Sequence, residues 1–354
     1  MSTKVICQSG AIEQIATLFP DRRAYVVVFA QADTRLKERV SDLLRHRLEE
    51  ILIWPDRMPE VHEVEFWQAR LWVTADHQSH FVLAIGGGSV LDAAKVMRFS
   101  PIRGLFLEHQ LDRPMVENRY RLPLVLCPTT AGTGSEVTRT ATIWDFGFGR
   151  KHSFFGPTVG ADVAVVDPEL TLSSGAALTR SSAVDALSHA LESIWNKNRD
   201  PNTISLAVSA AQNILESLPL VLRDPYDLTA RERLSLAALW AGHAIAVTQT
   251  SLAHALSYDD TIQQGTPHGD AVGRWLPLVY QMARETDPDC AKHLSRALGP
   301  AITSAKELAF WLECIGIETI NPYQTDEALR RRIAESLNSS RGKTFSGGLH
   351  ASVV

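Results

Sequence analysis

The sequence predicts an α/β N-terminal domain with a parallel sheet, followed by an all-α C-terminal domain. Three observations predict it. Short, nearly continuous apolar runs alternate with helical patterns through the first half, as expected for strands covered on both faces. Beyond Arg180 the helical periodicity continues and no convincing strand appears. The texture changes between residues 168 and 179, which puts the domains at residues 1–170 and 171–354.

In order, a short apolar strand follows the N-terminus. Residues 24–30 (AYVVVFA) read as a buried strand and residues 34–51 as a helix. Residues 80–85 (HFVLAI) form a second buried strand that runs directly into Gly86, Gly87, Gly88 and Ser89, and residues 90–98 a helix. Residues 122–127 (LPLVLC) form a third strand, stopped by Pro128. The tail from Ser339 is rich in Ser and Gly and reads as weakly ordered.

Composition narrows the function. The chain carries 35 Lys and Arg against 40 Asp and Glu, and 45% of it is hydrophobic. That excludes intrinsic disorder and leaves no electrostatic footprint for nucleic acid or an anionic membrane. The four cysteines, Cys7, Cys127, Cys290 and Cys314, form no CxxC pair, so a zinc ribbon or thioredoxin-type motif is absent and a reducing compartment is expected. No signal-peptide core is present, and the best apolar helices read as interrupted by Asp, His or Arg; the expectation is a cytoplasmic protein with no membrane or nucleic-acid partner.

Two turns stand where chemistry is expected. The glycines of residues 86–89 separate a buried strand from a helix. They permit close backbone approach and positive φ, and the helix N-terminus behind them suits a pyrophosphate. The spacing is not G-x-G-x-x-G. Residues 128–136 (PTTAGTGSE) also follow a buried strand and hold hydroxyls and glycines where a loop meets a helix. Turns at the carboxyl ends of parallel strands face one crevice, where open α/β sheets bind ligands; two ordinary capped loops are the plainer reading.

The third feature is a helix, residues 181–195 (SSAVDALSHALESIW), with little polar face. Asp185 and His189 are four apart and share one side of it. A buried carboxylate needs a partner. The bland partner is His189, as an intrahelical ion pair; the sharper one is a divalent metal bound by both. Downstream, His254 lies in an apolar helical stretch, and His268 follows Thr266-Pro267 at a turn that starts a helix. One carboxylate and three imidazoles without thiolate suit Fe(II) or Zn(II) with a position open for a substrate oxygen. On spacing alone both readings stay open. His243 reads as core or outer support.

Taken together, these segments resemble the iron-containing (group III) alcohol dehydrogenase family over nearly the whole chain. The resemblance rests on GGGSVLDAAK at residues 86–95, PTTAGTGSEV at 128–137, DPELT at 167–171, the Asp185/His189 helix, and Thr266-Pro267-His268-Gly269. It implies a dehydroquinate synthase-like architecture: an N-terminal dinucleotide-binding domain, an all-helical metal-binding domain, and a cleft between them. It implies that Asp185, His189, His254 and His268 hold the metal. It implies that Gly86, Gly87, Gly88, Ser89, Asp92, Thr129, Thr130, Ser135 and Lys151 surround NAD or NADP, Lys151 matching a basic position in the strand after the threonine turn; an ordinary exposed turn lysine is the alternative. The implied activity is NAD(P)H-linked reduction of a small aldehyde, with reversible alcohol oxidation, in a homodimer. A dehydroquinate synthase-like lyase or cyclase and a metal-free, non-catalytic relative are the alternatives.

Three departures qualify the resemblance. Where many members carry another histidine, four residues after His254, this chain has Tyr258, followed by Asp259-Asp260 in place of Pro-Leu. Tyr258 and His268 are the expected catalytic residues, Tyr258 as a hydrogen-bond donor or proton relay with a much higher intrinsic pKa than histidine. No acid stands directly at the end of the first long strand; Asp33 and Arg35 follow, so NADP stays open beside NAD. Against the family pattern the chain also reads as shorter than typical members with a poorly fitting tail, and a final helix or two is expected to be missing or replaced. Residues 140–145, 191–195 and 254–258 resemble one branch, the phosphonoacetaldehyde reductases. Such a substrate carries a dianion, for which Arg139 and Arg274 are the candidate partners.

Overall fold

The computed structural model describes residues 3–102, 107–115, 119–320 and 327–348. Met1 and Ser2, and the last six residues of the tail, lie outside them. The chain divides into two compact units: residues up to Thr130 with Ser135–Ser173, and Ala131–Gly134 with the chain from Ser174 onward.

The first unit contains β1 (Lys4–Cys7), β2 (Arg23–Phe29), α1 (Thr34–Leu44), β3 (Leu48–Trp54), α2 (Val61–Leu71), β4 (His80–Gly86), α3 (Gly88–Met97), β5 (Leu124–Pro128), β6 (Thr140–Asp145), β7 (Arg150–Phe155) and β8 (Val163–Val166). Six strands make one sheet in the order β1-β8-β5-β4-β2-β3, every pair parallel. β6 and β7 form a separate antiparallel hairpin. Side chains alternate across a strand, and both faces of this sheet are covered. Tyr25, Val27, Val82, Ala84, Leu124 and Leu126 enter one core; Val26, Val28, Leu83, Ile85, Val125 and Cys127 enter the other. That is why β2, β4 and β5 read as unbroken apolar runs. The strand order reverses between β2 and β4, and at such a switch point open α/β sheets bind ligands beyond the strands' carboxyl ends. The glycine turn lies there, after β4.

One expected helix is cut short. Residues 34–51 do not run on as a helix: α1 ends at Leu44, Arg45 takes a left-handed φ of 51°, and Leu48–Trp54 is a strand paired with β2. The Arg47 guanidinium donates to the carbonyls of Ala16, Leu18 and Phe19 and fixes the turn between them. Sheet pairing here overrides a continuing helical pattern.

The second unit contains α4 (Ala176–Ile194), α5 (Pro201–Arg223), α6 (Leu228–Thr248), α7 (Leu252–Leu256), α8 (Tyr258–Ile262), α9 (His268–Gly273), α10 (Leu276–Thr286), α11 (Pro288–Leu298), α12 (Ala305–Cys314) and α13 (Glu327–Asn338). Among the described residues after Ser174 there is no strand, only an isolated bridge between Asn196 and Phe345. Contrary to the sequence expectation, α5 is long and apolar enough to cross a membrane. Between Thr203 and Leu222 its only charge is Glu216. Ala207, Ala210, Ala211, Ile214, Leu218 and Val221 of this helix pack into the unit's core, and a buried core helix passes the same test.

The tail also departs from expectation. Residues 339–348 are docked: Phe345 is buried in the core, and the Ser346 and Lys197 N–H groups donate to the carbonyls of Trp195 and Thr344 at 2.9 and 2.7 Å. One aromatic anchor with backbone bonds outweighs a Ser/Gly-rich composition. α13 supplies a closing helix. Its Arg332 donates to Asp260 Oδ2 (3.0 Å) and to the Leu256 carbonyl, and lies over the Trp275 ring. Asp260 is therefore the buried anchor of the C-terminal helix.

Candidate metal centre and dinucleotide turns

The metal candidates meet in the second unit. α4 is buried along most of its length, and its 3.6-residue period stacks Asp185 and His189 on one face. α7 supplies His254, and His268 is the first residue of α9. Gly269 explains why α9 reaches α4: a Cβ there would lie 1.8 Å from the Ser181 carbonyl oxygen, so only glycine permits the approach. Asp185 Oδ1 stands 3.4 Å from His189 Nε2, 3.5 Å from His254 Nε2 and 3.9 Å from His268 Nε2.

Those separations discriminate between the two readings. A charge-assisted N–H···O bond would be about 2.7–2.9 Å. Donors about 2.0–2.1 Å from a tetrahedral ion lie about 3.4 Å apart. Asp185 Oδ1 and His254 Nε2 are buried and make no hydrogen bond, although buried polar atoms in folded proteins are nearly always satisfied. Asp185, His189 and His254 offer donor atoms all within 4.8 Å of one another, and His268, a third exposed, adds the outer one. The four residues fit a divalent ion bound by nitrogen and oxygen. His243 is half-buried on α6 and is not one of this cluster.

The cluster concentrates mutually stabilising charge. Burial opposes the charged form of Asp185, but His189, His254 and His268 around it outweigh burial and hold the carboxyl well below its usual range. For His254, burial opposes the imidazolium, yet Glu192 and Asp185 raise its pKa above the ordinary value. Glu192, fully buried one turn after His189, was missed as a functional residue from sequence. The available signal was a glutamate on the Asp185/His189 side of an otherwise apolar helix.

The expected dinucleotide residues lie in the first unit. Gly86 ends β4, Gly87 caps α3 without a side-chain acceptor, and Gly88 and Ser89 open that helix. None of the three glycines has positive φ. Gly86 is needed for space instead, because a Cβ would lie 2.5 Å from the Val90 side chain. Thr129 and Thr130 follow β5, the strand beside β4, and the Thr129 N–H donates to the Gly86 carbonyl at 3.0 Å. Asp92 faces inward. It accepts from the Ser135 hydroxyl (2.6 Å), the Thr142 N–H (2.8 Å) and the buried Lys95 ammonium (3.3 Å). Asp92 and Ser135 thus pin the threonine turn to α3. Lys151 lies in β7, opposite Trp144, with Nζ 5.3 Å from that ring's centre.

The remaining candidates are scattered. Asp33 caps α1, accepting from the Leu36 N–H at 2.7 Å. Arg139 precedes β6 in the first unit. Arg274 caps α9 in the second, with Nη2 3.8 Å from Glu318 and a buried Nε that makes no hydrogen bond. Tyr258 opens α8, its ring 5.4 Å from the Arg341 guanidinium.

Comparison with known proteins accounts for both units. The profile described as iron-containing alcohol dehydrogenase matches residues 2–168, and the Fe-containing alcohol dehydrogenase family C-terminal profile matches residues 179–312. The chain is 38% identical over 230 residues to a probable alcohol dehydrogenase of Salmonella typhimurium, covering 64% of this chain and 56% of that protein. It is 37% identical over 237 residues to phosphonoacetaldehyde reductase of Streptomyces viridochromogenes, covering 61% and 58%. The matched region thus spans a little over half the length of these curated relatives. Sulfoacetaldehyde reductase from Bifidobacterium kashiwanohense, solved with NAD+, shares the fold at a TM-score of 0.88 and 24% identity, over 99% of this chain and 95% of that one. Sequence profiles over both units and a fold shared along the chain agree: this chain belongs to the iron-containing alcohol dehydrogenase family.

Proposed function

We propose that this chain is a metal-dependent, NAD(P)H-linked aldehyde reductase, running in reverse as an alcohol dehydrogenase on a small substrate. The observation that carries the reading is the buried Asp185 oxygen ringed by three imidazole nitrogens at 3.4–3.9 Å. When bound, Fe(II) or Zn(II) supplies Lewis acidity toward a carbonyl oxygen, and NADH or NADPH supplies hydride. The chain's residues do the holding. Asp185, His189, His254 and His268 bind the ion. The glycine turn after β4, the free N-terminus of α3 and Thr129 and Thr130 receive the pyrophosphate, with Lys151 as a further contact. Asp92 and Ser135 keep that turn in place through hydrogen bonds inside the unit. Tyr258 relays the proton to the product oxygen.

We further propose an anionic aldehyde, phosphonoacetaldehyde reduced to 2-hydroxyethylphosphonate, as the preferred substrate. Its support is the similarity to the Streptomyces enzyme and the Arg274 guanidinium, which keeps a buried Nε–H without an acceptor. The test is to load the protein with Fe(II) or Zn(II), supply NADH or NADPH, and compare phosphonoacetaldehyde with propanal by loss of cofactor absorbance. Oxidation of cofactor with a kcat/KM favouring the phosphonate is expected. A preference for propanal removes the finer assignment. No turnover with any aldehyde, together with unchanged metal content in His268→Ala, removes the whole reading.

A further inference from the structure

Glu192 is fully buried on α4, and both of its oxygens are in use. Oε2 accepts from the Ser251 N–H at 2.5 Å and lies 2.8 Å from His254 Nδ1; Oε1 accepts from the His254 backbone N–H at 2.9 Å. An ionised carboxylate only accepts, so the proton between Glu192 and the ring belongs to His254 Nδ1. The opposite nitrogen, Nε2, is the one that faces Asp185 Oδ1 at 3.5 Å and makes no hydrogen bond. We propose that Glu192 is the positioning residue of the metal centre. It keeps a proton on His254 Nδ1 and so leaves Nε2 as the atom presented to the ion, sets the angle of the ring, and fixes the start of α7, from which the ring projects. This rests on reading Asp185, His189, His254 and His268 as the metal ligands.

Capping α7 is the structural alternative, since Ser251 and His254 both donate backbone N–H groups to Glu192. Capping does not require the ring bond, so the protonation of the His254 ring, read beside zinc affinity in the wild type and Glu192→Gln, separates the two roles. Glutamine has one acceptor oxygen and an NH2 that donates. Three donors converge on Glu192, so the amide NH2 must face one of them. Turned toward Nδ1, it also meets the Ser251 N–H and disturbs the cap, and it makes Nδ1 the acceptor, which moves the ring proton to Nε2, the atom needed by the metal. Turned the other way, it meets the His254 backbone N–H and displaces α7.

The experiment uses the full chain with 15N-labelled histidine, loaded with Zn(II). Zinc affinity is measured by chelator competition, ring protonation by nitrogen NMR and folding by circular dichroism. In the wild type, His254 is expected to carry a slowly exchanging proton on Nδ1 with zinc at Nε2. In folded Glu192→Gln, zinc binding weakens about 10- to 100-fold, the range for losing such an outer partner, and the Nδ1 proton signal is lost or moved. A folded Glu192→Gln that binds zinc as tightly as wild type overturns the inference. Should the variant not fold, the wild type alone decides: a proton on His254 Nε2 in the zinc-loaded protein overturns it. A wild type that takes up neither Zn(II) nor Fe(II) removes the metal reading first, an outcome distinct from failure of Glu192 alone.

Discussion

Two aspartates, Asp92 partly buried and Asp185 buried, divide this molecule instructively. Asp92, in the N-terminal unit, is hydrogen-bonded by Ser135, Thr142 and Lys95. Asp185, in the C-terminal unit, has three imidazoles at distances too long for good hydrogen bonds and an Oδ1 that accepts none. Both lie in motifs the sequence singles out. The first carboxylate is complete with the protein's own groups and acts as a bracket. The second lacks such partners, and the proposed function completes it with a cation. On the proposed function, satisfaction of a polar atom, more than motif membership, is what separates scaffold from site.

The sharpest way to break this contrast is to exchange the chemistry of each carboxylate. Asp185→Asn is expected to cost more than the roughly 10- to 100-fold in metal affinity that follows loss of an outer partner, and to take turnover with it. Metal content after dialysis and cofactor oxidation read the two effects. An Asp185→Asn protein that keeps stoichiometric metal would make Asp185 an ordinary ion-pair residue.

Asp92→Ala should do the opposite, leaving metal content unchanged while stability falls. Lys95 is fully buried, and desolvation already lowers its pKa despite the attraction of Asp92. Removing Asp92 strands a fully buried ammonium, a loss of up to about 3–5 kcal/mol, read by urea denaturation. An unchanged midpoint would mean that the Thr138 hydroxyl and Thr140 carbonyl, which also accept from Lys95, suffice to hold it.

Gly269→Ala asks whether the C-terminal site depends on helix approach as closely as on its donors. The added methyl meets the Ser181 carbonyl, and overpacking of this kind costs about 1–3 kcal/mol. Because His268 opens the same helix, a parallel loss of zinc affinity is expected. Loss of stability with unaltered zinc affinity would show that His268 is placed by its own turn.

How much of this was legible follows from sequence separation. Asp185 and His189 sit on one helix, so a period of 3.6 brings them together without knowledge of the fold. The Thr-Pro-His-Gly turn marks His268, and the unbroken apolar runs of β2 and β4, set between helical patterns, mark the sheet. Glu192 was not legible as a functional residue, because its partner His254 lies 62 positions away. β3 was hidden by a helical pattern that runs past Leu44, and its strand state comes from pairing with β2. The tail misled through composition: one aromatic, Phe345, decides its docking.

The smallest effect tests the side of the contrast that depends least on buried charge. Lys151 lies opposite Trp144 on the β6–β7 hairpin, its ammonium over the indole. A cation–π contact at a partly exposed site contributes about 0.5–1 kcal/mol. Lys151→Ala should therefore lower stability by no more than that. If the lysine also contacts the dinucleotide, KM for NADH or NADPH rises while kcat holds, because an interaction shared by ground and transition states is lost. The contrast then extends to a residue held by an aromatic face that also contacts a ligand. If KM is unchanged and only the midpoint moves, Lys151 joins Asp92 as scaffold, and the dinucleotide contacts of the N-terminal unit reduce to backbone, glycine and threonine.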